Sequence, residues 1–188
     1  GIGKTRLAGH WSRIQDSTFS GGVRFCRARA ARKEQDLFSA LASGLGTQLT
    51  EGDAEKQLLQ SIRNRGPLLL VLDNIDHVWS YLQGNLERWA TECEDVCFLV
   101  TGGRPLGLET ERVIRVPHLP FPDECPLLVP ECMKSDAIRL FVLRAQRANP
   151  HFRINAATAS VVYEIVKGLD GSPLALELAA AYVRHASL

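Results

Sequence analysis

The chain has 188 residues, of which 45% are apolar and 23% are charged, and its formal net charge is +1. This composition suits a globular protein with one core domain and a small satellite, and the near-neutral charge gives no global field that would recruit nucleic acid or a membrane surface. No apolar run approaches the roughly 20 residues of a membrane-spanning helix. Five scattered cysteines, without a C-x-x-C pair, favour reduced thiols and a cytoplasmic location.

Helical and strand patterns alternate over the first part of the chain. Helical spacing of apolar residues runs from Lys4 to about Gln15 and returns near residues 37–45, 58–62 and 79–89. The strand candidates between and after them are Val23 to Ala28, Leu68 to Asp73, Val96 to Thr101 and a shorter one from Arg112 to Val116. The alternation predicts an α/β fold, a parallel sheet flanked by helices and connected by right-handed βαβ units.

The pattern changes after Val116. Prolines crowd residues 117–130 without a period, which indicates a linker or an ordered loop. Only helical patterns follow: Ser135 and Asn155 are predicted N-caps, and Pro173 stands at the first position of a third helix. The predicted organisation is a sheet domain over residues 1–117, a Pro-rich connection over 118–133 and a small all-helical subdomain over 134–188.

The first five residues form a candidate phosphate-binding loop. They match the second half of the pattern G-x-x-x-x-G-K-[ST] and lead directly into a helical pattern, so the first half and the strand before it are expected upstream of Gly1. Lys4 would place its ammonium between the β- and γ-phosphates, and Thr5 would give its hydroxyl to Mg²⁺. A chance turn before a helix is the alternative. The candidate nucleotide-binding residues here are Gly1, Ile2, Gly3, Lys4, Thr5 and Arg6.

Asp73 is the candidate partner of this loop. It closes the apolar run of residues 68–72, which is typical of a strand buried on both faces of a parallel sheet. Ligands of open α/β sheets bind at the carboxyl ends of the strands, so Asp73 would hold Mg²⁺ directly or through water, together with Thr5. The alternative is a turn or helix cap after a core strand, and the presence of Lys4 in the same chain disfavours it.

The residues after Asp73 bear on hydrolysis. Asn74 occupies the position where many hydrolytic ATPases carry a second acid, and an amide cannot act as a base. Asp76 is a candidate catalytic residue that could orient water, but it equally suits an N-cap for the helix that carries Trp79, and we favour the cap. The sequence therefore predicts slow hydrolysis or none.

Four segments carry a resemblance to a known family: GIGKTRLA, LLLVLDNIDHV, FLVTGGRPLGL and LDGSPLALELAA, in this order. Together they resemble the nucleotide-binding module (NB-ARC-like AP-ATPase) of STAND-class signalling ATPases. Among these, they most resemble the modules of bacterial LuxR-type and SARP-type transcriptional regulators. The resemblance implies ATP or ADP with Mg²⁺ as ligands, a P-loop NTPase sheet with an ARC1-like helical subdomain, and a regulatory switch that is at most a slow ATPase.

The same resemblance implies partners and site residues. The partners would be nucleotide, other domains of the same chain and a homo-oligomer on activation, with DNA reached only through other domains and no membrane. Pro173 would pack near the adenine. In the family, a serine and then a phosphate-sensing arginine usually follow the strand that ends here at Thr101. Gly103 stands at the position of that arginine and Arg104 is one residue late, so Arg104 either reaches the nucleotide or is a surface arginine.

Two alternatives to the switch remain open. An active AAA+-like ATPase would need a second acid beside Asp73 and a working sensor, and a degenerate scaffold would bind no nucleotide at all. A separate basic run includes Arg24 and Arg27, with only Phe25 among them as an aromatic residue. Binding of nucleic acid and a solvated strand end both fit this run, and the scarcity of aromatic residues favours the solvated strand end.

Overall fold

The computed structural model describes residues 1–126 and 128–184, so the last four residues of the predicted helical subdomain lie outside the described residues. The chain divides into two compact units. One is Lys4–Ile114, and the other combines Gly1–Gly3 with Arg115–Leu188. The first contains the sheet and the second is helical, and we refer to them as the sheet unit and the helical unit.

The sheet unit is built on three parallel strands, β1 (Val23–Arg27), β2 (Leu68–Asp73) and β3 (Val96–Thr101), in the order β1-β2-β3. All six residues of β2 are buried, because this strand lies in the middle of the sheet. The register aligns Arg27 with Asp73 and Asp73 with Thr101, so the carboxyl ends of the three strands lie level. The predicted α/β fold with a parallel sheet is confirmed.

Four helices complete the sheet unit, together with a short 3₁₀ turn at Asp16–Thr18. They are α1 (Lys4–Ile14), α2 (Glu34–Leu45), α3 (Ala54–Arg63) and α4 (Trp79–Glu92). Residues of β2 alternate between two cores, because successive side chains of a strand point to opposite faces. Leu70 packs with α2, α3 and α4, whereas Leu69 and Val71 pack with Ala8 of α1. The sheet is therefore covered by α1 on one face and by the other three helices on the opposite face.

The helical unit contains α5 (Val129–Cys132), α6 (Asp136–Ala148), α7 (Ala156–Gly168) and α8 (Pro173–Tyr182). The predicted N-caps are confirmed, since Ser135 Oγ accepts the N–H of the third helical residue of α6 and Asn155 accepts two N–H groups of α7. Pro173 is at the first helical position, where a missing N–H costs nothing. In the described part of the chain, no helix has both the length and the apolar character needed to cross a membrane.

The Pro-rich segment, residues 117–126, is an ordered loop attached to the helical unit by hydrogen bonds. The N–H of Leu119 donates to the carbonyl of Gly171 over 3.0 Å, and the hydroxyl of Tyr163 donates to the carbonyl of Asp123 over 2.6 Å. Gly171 has φ +60°, and a Cβ there would lie 2.1 Å from the carbonyl oxygen of Leu119. The turn before α8 therefore requires glycine for its conformation and for the close approach of this loop.

Two elements differ from the sequence-based expectation. The predicted strand from Arg112 to Val116 is wrong, because these residues pair with no strand and the side chains of Val113 and Ile114 are 49% and 72% exposed. The short helix α5 was not predicted, because its Pro130 belongs to the proline-rich run. Proline stands in the first turn of this helix, where it is tolerated.

Candidate functional site

The carboxylate of Asp73 joins α1 to the end of the sheet. Its Oδ1 accepts a hydrogen bond from Thr5 Oγ1 over 2.7 Å and another from Thr101 Oγ1 over 2.6 Å. Asp73 is 5% exposed and Thr101 is 7% exposed. Two segments that are 68 residues apart in the sequence therefore meet at one edge of the sheet.

The strand register explains this meeting. Side chains alternate along β2, so Asp73 shares a face with Leu69 and Val71, which is the face covered by α1. Thr5 lies in the first turn of α1. Thr101 ends β3 in register with Asp73, so its hydroxyl lies beside the carboxylate. Sequence reasoning missed Thr101, although a threonine that ends an apolar strand parallel to the Asp73 strand is a usable signal.

Asn74 turns the chain sharply after β2. Its φ is +61°, in the left-handed region that asparagine tolerates better than most residues. Its N–H donates to Thr101 Oγ1 over 3.0 Å, and the next N–H, of Ile75, donates to the carbonyl of Thr101 over 3.1 Å. The hydroxyl of Thr101 thus both donates and accepts, and it fixes the turn and the carboxylate at once.

Asp76 holds the loop after β3. The prediction that Asp76 caps α4 is wrong, because the N-cap residue is Val78 and no side chain caps this helix. Asp76 Oδ1 instead accepts the N–H of Gly103 over 2.7 Å. A Cβ at position 103 would lie 3.1 Å from the same oxygen, so glycine allows this close contact.

Arg104 lies on the surface of the same loop. Its guanidinium stacks over the ring of Trp79 at 3.9 Å from the centroid. Trp79 Nε1 also donates to the carbonyl of Pro105 over 3.0 Å. Trp79 therefore holds both Arg104 and the backbone beside it.

The remaining predicted site residues lie at the start of the chain and at α8. Lys4, Thr5 and Arg6 form the first turn of α1, directly after Gly1, Ile2 and Gly3, and Gly3 has φ +93°. Within the helical unit, the carbonyl of Gly1 accepts the N–H of Leu174, the residue after Pro173, over 3.3 Å. The structure therefore brings together Thr5 with Asp73, and separately Gly1 with the first turn of α8.

The oxygens of Thr5 and Asp73 suit a small hard cation. Asp73 Oδ2 accepts no hydrogen bond from the described residues and is not sealed from solvent. The described part of the chain holds no group of three His, Cys, Asp or Glu side chains placed around a metal position. A cation here would take one hydroxyl, one carboxylate and oxygens of water or phosphate, which is the coordination that Mg²⁺ prefers.

This chain matches part of several longer known proteins. No protein-family model matches it. It is 33% identical over 181 residues to "Uncharacterized protein Rv0894" of Mycobacterium tuberculosis, a match of 96% of the chain and 43% of that relative. It is 31% identical over 190 residues to "Putative HTH-type transcriptional regulator Rv0890c" of the same species, a match of 100% of the chain and 20% of the relative, and equally to its Mycobacterium bovis counterpart Mb0914c. The chain thus spans less than half of these relatives and is homologous to part of a protein that carries a transcriptional regulator's name.

Proposed function

We propose that this chain is an ATP- and ADP-binding switch module of a transcriptional regulator, of the P-loop NTPase class and similar to the NB-ARC-like modules of STAND proteins. The observation that carries the proposal is the hydrogen bond between Thr5 and Asp73. A phosphate loop and a Mg²⁺-binding aspartate must share one edge of the sheet to act on one nucleotide. A chance turn before a helix predicts no such meeting.

The residues of the edge have distinct roles in this proposal. Thr5 and Asp73 would hold Mg²⁺, and the hydroxyl proton that Thr5 now donates to the carboxylate would turn away. Lys4 makes no ion pair or hydrogen bond through its side chain with the described residues, so its ammonium is available to the phosphates. The N–H groups that open α1 add a partial positive charge toward the same phosphates.

Slow hydrolysis follows from the surroundings of Asp73. Asn74 supplies an amide where a base would be needed, and its backbone is committed to Thr101. The carboxylate of Asp76 holds the N–H of Gly103. Among the described residues, the amide of Asn74 thus offers no base, and Asp76 has one carboxylate oxygen engaged in holding a loop, which favours a switch over a motor.

The regulatory part of the proposal depends on the relatives. A similar protein bears the name of an HTH-type transcriptional regulator and is about five times as long as the matched region, since the match covers 20% of it. In the proposal, exchange of ADP for ATP shifts the population of conformations of this module, and other domains of the same chain read the change and contact DNA.

Calorimetry on the full-length protein tests the nucleotide site. Wild-type protein should bind ADP and ATP with Mg²⁺. Lys4→Ala should weaken binding by roughly 10- to 150-fold, because a charge-assisted hydrogen bond contributes about 1.5–3 kcal/mol. Thr5→Val should weaken binding in Mg²⁺ but not in EDTA.

Thr91→Val is the matched control, because Thr91 is exposed on α4 and bonds only within its own helix. Absence of binding by the wild-type protein would favour the degenerate scaffold. An unchanged affinity of Thr5→Val in Mg²⁺ would remove the proposed metal site. A steady-state turnover of roughly one per second or faster would favour an active ATPase instead.

A further inference from the structure

Arg27 lies at the same level of the sheet as the proposed Mg²⁺ ligand. It ends β1 in register with Asp73, and adjacent strands are only about 4.8 Å apart. It lines a cavity of about 560 Å³ whose walls come from α1, β1 and the 3₁₀ turn between them and include Thr5, Gly9 and Phe25. A cationic side chain therefore lines the same cavity as Thr5, whose hydroxyl is proposed to bind Mg²⁺.

The guanidinium of Arg27 is held weakly. It lies 5.7 Å from the centroid of the Phe25 ring, and no carboxylate among the described residues pairs with it. The cavity walls also carry Arg13, so that Arg27 and Arg13 face a single acid, Asp16. The excess positive charge attracts an anion, and Arg27 can leave the ring of Phe25 at little cost because exposed cation–π contacts are weak.

None of the residues that directly follow β3 lines this cavity. Gly103 has no side chain and its N–H is bound by Asp76, whereas the guanidinium of Arg104 is stacked on Trp79. The stack of Arg104 on Trp79 is closer than the contact of Arg27 with Phe25, at 3.9 Å against 5.7 Å, and tryptophan is the stronger partner for a cation. Trp79 also binds the carbonyl of Pro105, so Arg104 is held more firmly than Arg27. Arg104 is thus held on Trp79, whereas Arg27 of β1 lines the cavity.

We propose that Arg27 binds the terminal phosphate of ATP and sets the preference of the site for ATP over ADP. This inference rests on the proposed nucleotide-binding function. On binding, the guanidinium exchanges the face of Phe25 for phosphate oxygens, which its planar fork can hold in a bidentate manner. ADP lacks that phosphate, so the contact discriminates between the two nucleotides.

The test compares the affinities of a non-hydrolysable ATP analogue and of ADP, both with Mg²⁺, in the full-length protein. Arg27→Ala should weaken the binding of the analogue by roughly 10- to 100-fold, the range expected for loss of a charged hydrogen bond. The binding of ADP should weaken by less than about threefold. Arg27→Lys keeps the charge and loses the fork, so an intermediate loss is expected. Arg24→Ala is the matched control on the same strand, because Arg24 donates to the carbonyl of Val23 and does not line the cavity.

Each outcome has one meaning. An unchanged ratio of the two affinities in Arg27→Ala, or the same loss in Arg24→Ala, overturns the inference and leaves the nucleotide site in place. A ratio that collapses only in Arg104→Ala assigns the role to the loop after β3 and also overturns it. If the wild-type protein binds neither nucleotide, the proposed function itself fails. Circular dichroism checks that each variant is folded, and Arg27→Lys decides the result should Arg27→Ala unfold.

Discussion

The hydroxyl of Thr101 offers the sharpest test of the polar network at the edge of the sheet. It donates to Asp73 Oδ1 over 2.6 Å and accepts the N–H of Asn74 over 3.0 Å, and Thr101 is 7% exposed. Thr101→Val keeps the shape of the side chain and removes both bonds. A hydrogen bond to a charged group contributes roughly 1.5–3 kcal/mol, and a buried N–H without an acceptor costs about 1–3 kcal/mol.

Asn74 is half-buried, so water can replace part of the hydrogen bond that its N–H loses. We therefore expect the free energy of unfolding to fall by about 2–4 kcal/mol. Urea unfolding followed by tryptophan fluorescence measures it, and a thermal scan should show a Tm lower by roughly 4–16 °C for a chain of this size. Thr91→Val, on the exposed face of α4, should change stability by less than about 0.5 kcal/mol. A loss of similar size in both variants would refute the reasoning.

Two further predictions concern the packing of β1. Gly44→Ala should destabilise the protein by up to about 2 kcal/mol in urea unfolding, because the new Cβ would lie 2.3 Å from Cys26 Sγ. Gly84→Ala is the control: its Cβ would meet nothing within 4 Å, and the change should stabilise α4 by up to about 1 kcal/mol. Burial raises the pKa of the Cys26 thiol to about 12, so its thiolate is scarce near neutral pH. Ellman's reagent should therefore modify the exposed Cys125 quickly and Cys26 only after unfolding. Rapid loss of the Cys26 thiol in the folded protein would contradict its burial.

The sequence predicted the elements whose signal is local. The unbroken apolar run of β2 marked a strand with two buried faces, and the capping residues Ser135 and Asn155 marked two helix starts. The same kind of pattern failed at residues 112–116, because β-branched residues form a strand only where a neighbouring strand offers a partner. Pairing is a long-range property, and nothing in a window of five residues reports it.

The candidate site divides in the same way. Thr5 and Asp73 could be proposed from motifs, since each stands at a fixed place beside a recognisable element. The contact of Asp76 with Gly103 joins two loops, and its own local pattern, an acid shortly before a helix, pointed to a cap instead. Thr101 depends on the register of two parallel strands, which only the folded chain defines.

The anchoring of the Pro-rich segment has a consequence for how its sequence can change. Both bonds described above, at Leu119 and Asp123, use main-chain atoms of the segment. Their partners are the hydroxyl of Tyr163, which donates, and the carbonyl of Gly171, which accepts. Substitutions along the segment therefore leave these attachments intact as long as the backbone keeps its path. Ser135 Oγ also donates to a main-chain atom of the segment, the carbonyl of Pro120, over 3.1 Å. The sequence of the segment can therefore vary more freely than the three residues that hold it, Ser135, Tyr163 and Gly171.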